Sequence, residues 1–91
     1  MIELEARQAV YRRAIDTYGE DAQLWMVIEE MSELAKEICK FMRGKRCPAD
    51  IADEIADVAI MLEQATMIFG VNDLVRKHMD QKVERLKERL R

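Results

Sequence analysis

VIEEMSELAKEICKF, residues 27–41, is apolar and acidic at the same helical spacing. At about 100° per residue, Val27, Met31, Leu34, Ala35 and Ile38 gather on one side of a helix, with Met42 one turn further on. Glu29, Lys36, Lys40 and Arg43 fall on the far side, toward solvent. Glu30, Glu33 and Glu37 lie between the two, at the edge of the apolar stripe. Like charges three or four residues apart repel by roughly 0.2–0.5 kcal/mol per pair. A helix that stacks three carboxylates beside its core therefore needs something to offset them.

The same arrangement recurs downstream. Ile51, Ile55, Val58, Leu62, Ala65 and Phe69 form the apolar stripe of a later helix, with Glu54 and Asp57 at its edge and Asp53 and Glu63 further out. The connection between the two helices, GKRCPAD from Gly44, is short, so the helices are expected to pack antiparallel. Glu30, Glu33, Glu54 and Asp57 can then converge. Four half-buried carboxylates are untenable without compensation. A divalent cation supplies it, and an all-oxygen ligand set selects a hard ion, Mg²⁺ or Mn²⁺ before Ca²⁺.

Two more helices complete the chain. One is expected from about Ile2 to Tyr18, marked by Leu4, Val10, Ala14 and Ile15 and ended by Gly19. Asp21 is the expected cap of the acidic helix, which runs to about Arg43. The third helix runs from about Ile51 to Phe69, Gly70 stops it, and Asn72 caps a fourth from about Asp73 to Leu90. No alternating stretch bounded by turn residues reads as a strand. The expected fold is all-α: one domain, residues 1–91, with a protomer resembling a four-helix bundle. On the fourth helix His78, Lys82, Arg85 and Arg89 form a basic strip beside Val75, Met79, Leu86 and Leu90. Cations beside an acid-held metal suit a polyphosphate.

Composition narrows the classes. The 91 residues carry a net charge of −3, which gives no electrostatic case for nucleic-acid binding. No apolar run approaches the roughly 20 residues of a membrane span. MIELEARQ has no apolar signal segment, and Cys39 and Cys47 match neither a disulfide framework nor a zinc spacing. A cytoplasmic protein with reduced thiols is the expectation. Ile60, Met61, Met67 and Ile68 form a second apolar strip on the third helix, which a lone protomer would expose and a homo-oligomer would cover.

Plainer readings compete at each position. A single E-x-x-E on a helix is ordinarily a solvated face. Two acidic pairs at the core edges of neighbouring helices shift the weight toward metal. Cations also collect in C-terminal halves of helices through the dipole, which accounts for Lys82 and Arg85 without a ligand. His78 stands alone and reads as a surface residue. Cys39 and Cys47 read as a core-edge and a loop residue. Trp25 reads as a packing or interface residue before a base-stacking one. No Glu-x-x-His occurs, which disfavours a di-iron carboxylate bundle.

EEMSE at 29–33, then twenty residues, then EIAD at 54–57, resembles the E-E-x-x-E, spacer, E-x-x-D signature of the all-α nucleoside triphosphate pyrophosphohydrolases, the MazG-like superfamily. The resemblance extends over roughly residues 20 to 90 and is to the short, single-domain members. It implies hydrolysis of a nucleoside triphosphate, a deoxynucleotide or an altered one, to the monophosphate and pyrophosphate. It implies that Glu30, Glu33, Glu54 and Asp57 hold Mg²⁺, with Mn²⁺ as a substitute. Glu33 or Glu54 would orient or deprotonate the attacking water, and Lys82 and Arg85 would meet phosphates. Glu29 completes the string but points outward, and Glu37 lies beside the site as an outer group. Trp25, Phe41 and Met61 are base-recognition candidates by position only. The resemblance further implies a homodimer or homotetramer with the site at a subunit contact. Phosphoribosyl-ATP pyrophosphohydrolase of histidine biosynthesis shares the fold and the acids. A non-catalytic helical interaction protein with a metal site is the reading from a different class.

Overall fold

The computed structural model describes residues 2–91. Four helices follow one another: α1 Leu4–Tyr18, α2 Glu20–Met42, α3 Pro48–Phe69 and α4 Asn72–Arg89. Among the described residues there is no strand, and the fold is all-α. Helix starts and stops follow backbone chemistry more than side-chain caps. Gly19, at φ 91°, joins α1 to α2: its N–H donates to the Ile15 carbonyl at 2.8 Å and its own carbonyl accepts from Gln23 N–H at 3.2 Å. One residue thus closes one helix and opens the next, and Asp21, the expected cap, lies inside α2. Helix α3 begins at Pro48, a turn before the expected Ile51, because a proline at the first helical position lacks only an N–H that has no intrahelical partner. Gly70 is left-handed at φ 64°, and the Val71 N–H reaches back to the Thr66 carbonyl at 3.1 Å. Val71, not Asn72, holds the cap position of α4.

Helices α2 and α3 form an antiparallel hairpin. Gln23 meets Gln64 near one end, and Glu30 lies beside Asp57 further along, so advancing on α2 means retreating on α3. The covered positions recur every three or four residues: Gln23, Val27, Glu30, Leu34, Glu37 and Phe41 face Ile51, Glu54, Asp57 or Val58, Met61, Gln64 and Ile68. The acids therefore sit in the middle of the seam, not at its edge. Much of each expected core stripe is bare: Met31, Ala35, Ile38 and Met42 on α2, and Ile55, Leu62 and Phe69 on α3, are exposed. Met61, expected on the outlying strip, is only 7 % exposed and belongs to the core. The apolar arc on each helix is wider than one neighbouring helix covers, and the hairpin uses only one side of it.

Helix α1 packs against the hairpin through Tyr11 and Ile15, both buried. The Tyr11 hydroxyl donates to Glu63 Oε1 at 2.8 Å, and Arg7 Nη2 donates to Glu63 Oε2 at 3.3 Å. Glu63, expected to point outward, is thus the polar tie between α1 and α3. Burial, then the neighbouring Glu63 carboxylate, pushes the Tyr11 phenol above its ordinary range. Tyr11→Phe keeps the ring and removes the donor to a charged acceptor. It is expected to lower unfolding stability by about 1–2 kcal/mol in a denaturant titration. Arg7→Ala should cost less, since that ion pair is about a third exposed and screened by water.

Helix α4 does not close the expected bundle. It has no buried residue and approaches only α3 closely. A groove of about 600 Å³ lies between Leu4, Gln8 and Tyr11 of α1 and Val75, Arg76 and Met79 of α4. The apolar stripe of α4, from Leu74 to Leu90, stays exposed. No described helix is long and apolar enough to cross a membrane.

Candidate metal centre

Glu30 comes from the middle of α2, and Glu54 and Asp57 from successive turns of α3. Residues three apart on a helix face the same way, so Glu54 and Asp57 both look across the seam at Glu30. One carboxylate oxygen from each of the three lies within 4.8 Å of the others. All three residues are half-buried, with Val27, Leu34 and Val58 covered beside them in the seam. Loss of hydration is the leading cause that pushes both Glu30 and Glu54 above the ordinary carboxylate range, and the charge of Asp57 is the next. Glu33 adds its charge to both.

The cluster has no internal counterion among the described residues. The ion pairs are Arg7–Glu63, Lys40–Glu37, Lys87–Glu84 and Arg91–Glu88, and none involves the three acids. Glu54 Oε2 is enclosed and accepts no hydrogen bond. An enclosed carboxylate oxygen without a donor is costly. Three carboxylates converging around an orphaned oxygen suit a hard divalent cation in donor type and in charge.

The remaining site candidates are dispersed. Glu33 is exposed and stands outside the three-acid cluster. Glu37 is bound to Lys40 at 3.1 Å, which already offsets its charge. Lys82 and Arg85 are exposed on α4, where they line a groove with Glu88 and Arg89. Because α4 leaves the hairpin at Gly70, the structure does not bring these cations to the acids of the same chain. Trp25 is 70 % exposed. Phe41 is half-buried, with the Arg46 guanidinium 4.7 Å from its ring centre. Cys39, Cys47 and His78 are exposed.

Sequence reasoning missed one feature. Gln23 and Gln64 are buried in the seam, and Gln23 Nε2 donates to Gln64 Oε1 at 2.7 Å. Gln64 Nε2 in turn donates to Met61 Sδ at 3.8 Å. The signal was present: Gln23 lies seven residues before Glu30 and Gln64 seven after Asp57, the repeat of a packed seam. Compared with protein-family models, with curated proteins and with solved structures, the chain gave no match.

Proposed function

We propose that the chain is a metal-dependent nucleotide pyrophosphohydrolase of the MazG-like kind. It would hydrolyse a nucleoside triphosphate, a deoxynucleotide or a modified one, to the monophosphate and pyrophosphate. The observation that carries the reading is the uncompensated Glu30–Glu54–Asp57 cluster with its enclosed, unpaired Glu54 oxygen. The E-E-x-x-E and E-x-x-D spacing supports it independently.

On this reading Glu30, Glu54 and Asp57 hold Mg²⁺ or Mn²⁺, with Glu33 at the solvent side. The bound ion supplies positive charge for phosphate oxygens and acidifies water. The protein's own part is positional. Glu54, fixed in the seam, orients the attacking water toward the α phosphorus. Glu33, open to solvent and close enough for its charge to act on both Glu30 and Glu54, would take its proton. Lys82 and Arg85 of the partner subunit neutralise the leaving pyrophosphate, since α4 stands away from the acids of its own chain. The active form is then a homodimer or homotetramer.

The test is pyrophosphate release from canonical and modified NTPs and dNTPs, with Mg²⁺, with Mn²⁺ and with EDTA. Release that needs the metal and yields the monophosphate is the expected result. No release from any nucleotide by folded protein would overturn the reading. Weight would then move to phosphoribosyl-ATP, or to a metal-binding bundle without catalysis.

A further inference from the structure

Tyr18, Ala22, Gln23, Met26 and Met61 line a mostly apolar cavity of about 460 Å³. It reaches the hairpin seam of the three acids through Gln23 and Met61, with Tyr18 at the end of α1 and Ala22 and Met26 beside the seam. Gln23 is seven residues from Glu30, about 10 Å along the helix axis, and Met61 is one turn from Asp57. Tyr18 offers an aromatic ring and Met26 a thioether, walls that suit the flat face of a heterocycle.

The one side chain in this cavity with a strong hydrogen-bonding group and more than nine-tenths buried is Gln23. Its amide orientation is set by a relay. Met61 Sδ can only accept, so Gln64 turns its NH₂ toward the sulfur and its oxygen toward Gln23. Gln23 must therefore donate to Gln64, which leaves Gln23 Oε1 without a partner inside the chain. The enclosed unpaired polar atoms among the described residues are Arg7 Nε and Glu54 Oε2. Gln23 Oε1 is not one of them, so it remains open to the cavity it lines. The cavity is thus lined by a mostly buried residue whose accessible oxygen is an oriented acceptor.

An oriented acceptor with apolar walls selects a donor. We propose that this cavity takes the base of the nucleotide and that Gln23 Oε1 accepts from an exocyclic amino group, so that cytosine and adenine nucleotides are preferred to uracil and thymine nucleotides. The proposal rests on the pyrophosphohydrolase reading above. An exocyclic amine projects from the end of the ring and reaches a lone acceptor. A uracil turned the same way sets its carbonyl oxygen against Gln23 Oε1, two acceptors with no proton between them. Gln23 acts here as a specificity residue and makes no contact with the reacting phosphates.

The experiment compares kcat/KM for dCTP and dUTP with Mg²⁺ in the full chain, Gln23→Leu and Met61→Leu. The unaltered chain is expected to favour dCTP about tenfold or more. Gln23→Leu should bring the ratio close to one. Met61→Leu removes the sulfur that orients the relay and should relax it. The ratio is internal to each protein, so a variant that is partly unfolded loses both rates and still reports it. Should Gln23→Leu fail to fold, Met61→Leu carries the same prediction. A preference for dUTP, or a ratio unmoved in Gln23→Leu and Met61→Leu, overturns the base-reading role and leaves the pyrophosphohydrolase reading intact. Absence of release from every nucleotide overturns that reading and this inference with it.

Discussion

Glu54→Gln is expected to remove activity and to raise the melting temperature of the metal-free protein. The loss of turnover should be on the order of 100-fold or more, since even groups that only support a metal ligand are worth 10- to 100-fold. The gain in stability comes from the same atoms. Glu54 has an enclosed oxygen without a donor, and Asp57, Glu30, Asp53 and Glu33 add like charge around it. Glutamine keeps the shape, removes the charge and brings N–H donors toward the two remaining acids. The pH dependence has a definite sign. The folded-state pKa values of Glu30 and Glu54 lie above those of the unfolded chain, so the folded protein binds more protons where they titrate. These groups therefore cost stability at neutral pH. That cost fades as the pH falls through the raised folded values and is gone below the ordinary carboxylate value of about 4. Metal-free protein should melt later as the pH is lowered from neutral toward the carboxylate range. Mg²⁺ at neutral pH should have the effect that protons have at low pH, and it should flatten the profile. Circular-dichroism melts with EDTA and with Mg²⁺, for the unaltered chain and Glu54→Gln, measure the stability changes, and pyrophosphate release measures the turnover. If Glu54→Gln melts earlier than the unaltered chain in EDTA, the cluster is an ordinary part of the scaffold.

Much of this was legible in the sequence, and the parts that were not share one physical cause. Gly19 and Gly70 mark helix boundaries because each holds a positive φ that other residues rarely adopt, so the four helices follow from their positions. The convergence of Glu30, Glu54 and Asp57 follows from period and hairpin connectivity. What a helical wheel cannot give is which part of a wide apolar arc faces the neighbour in the same chain. Centring the stripe on Met31, Ile38, Ile55 and Leu62 put the acids at its edge. The packed seam is rotated by part of a turn and runs through Val27, Glu30, Leu34, Val58 and Met61. That rotation hid the Gln23–Gln64 pair and turned Glu63 toward Tyr11. Helix α4 shows the same limit: its stripe predicts burial, but a single sequence does not name the surface that provides it. Lys82 and Arg85 lie on that helix, and within one chain they stay apart from the acids.

Leu62→Glu is expected to abolish the oligomer and most of the stability with it. The buried apolar residues of the lone protomer are Tyr11, Ile15 and Met61, a small core for a chain of 91 residues. In an antiparallel hairpin the residue after each seam position turns to the same flank on both helices. Met31, Ile38 and Met42 therefore share a flank with Ile55, Leu62 and Phe69, and all six are exposed. Helix α1 meets the hairpin through Glu63, which precedes the seam residue Gln64 and so lies on the opposite flank. A second copy bringing the same flank would stack two hairpins into four packed helices with two-fold symmetry, and every contact would occur twice. Burying one leucine is worth about 1.5–3 kcal/mol, so a charge at Leu62 is felt on both sides of such an interface. Light scattering should show a dimer or tetramer for the unaltered chain. For Leu62→Glu it should show a monomer with a melting temperature far lower and independent of concentration. Ile60→Glu, on the flank nearer α1, should change the assembly less. A monomeric unaltered chain would sink the idea. The same assembly decides whether the cations act across subunits. Lys82→Ala and Glu54→Gln chains, each inactive alone, should recover activity when unfolded together and reassembled, because mixed oligomers pair an intact acid cluster with the intact α4 of a partner. Recovery requires a site built from two chains, whereas two mutations within one self-contained site cannot repair each other.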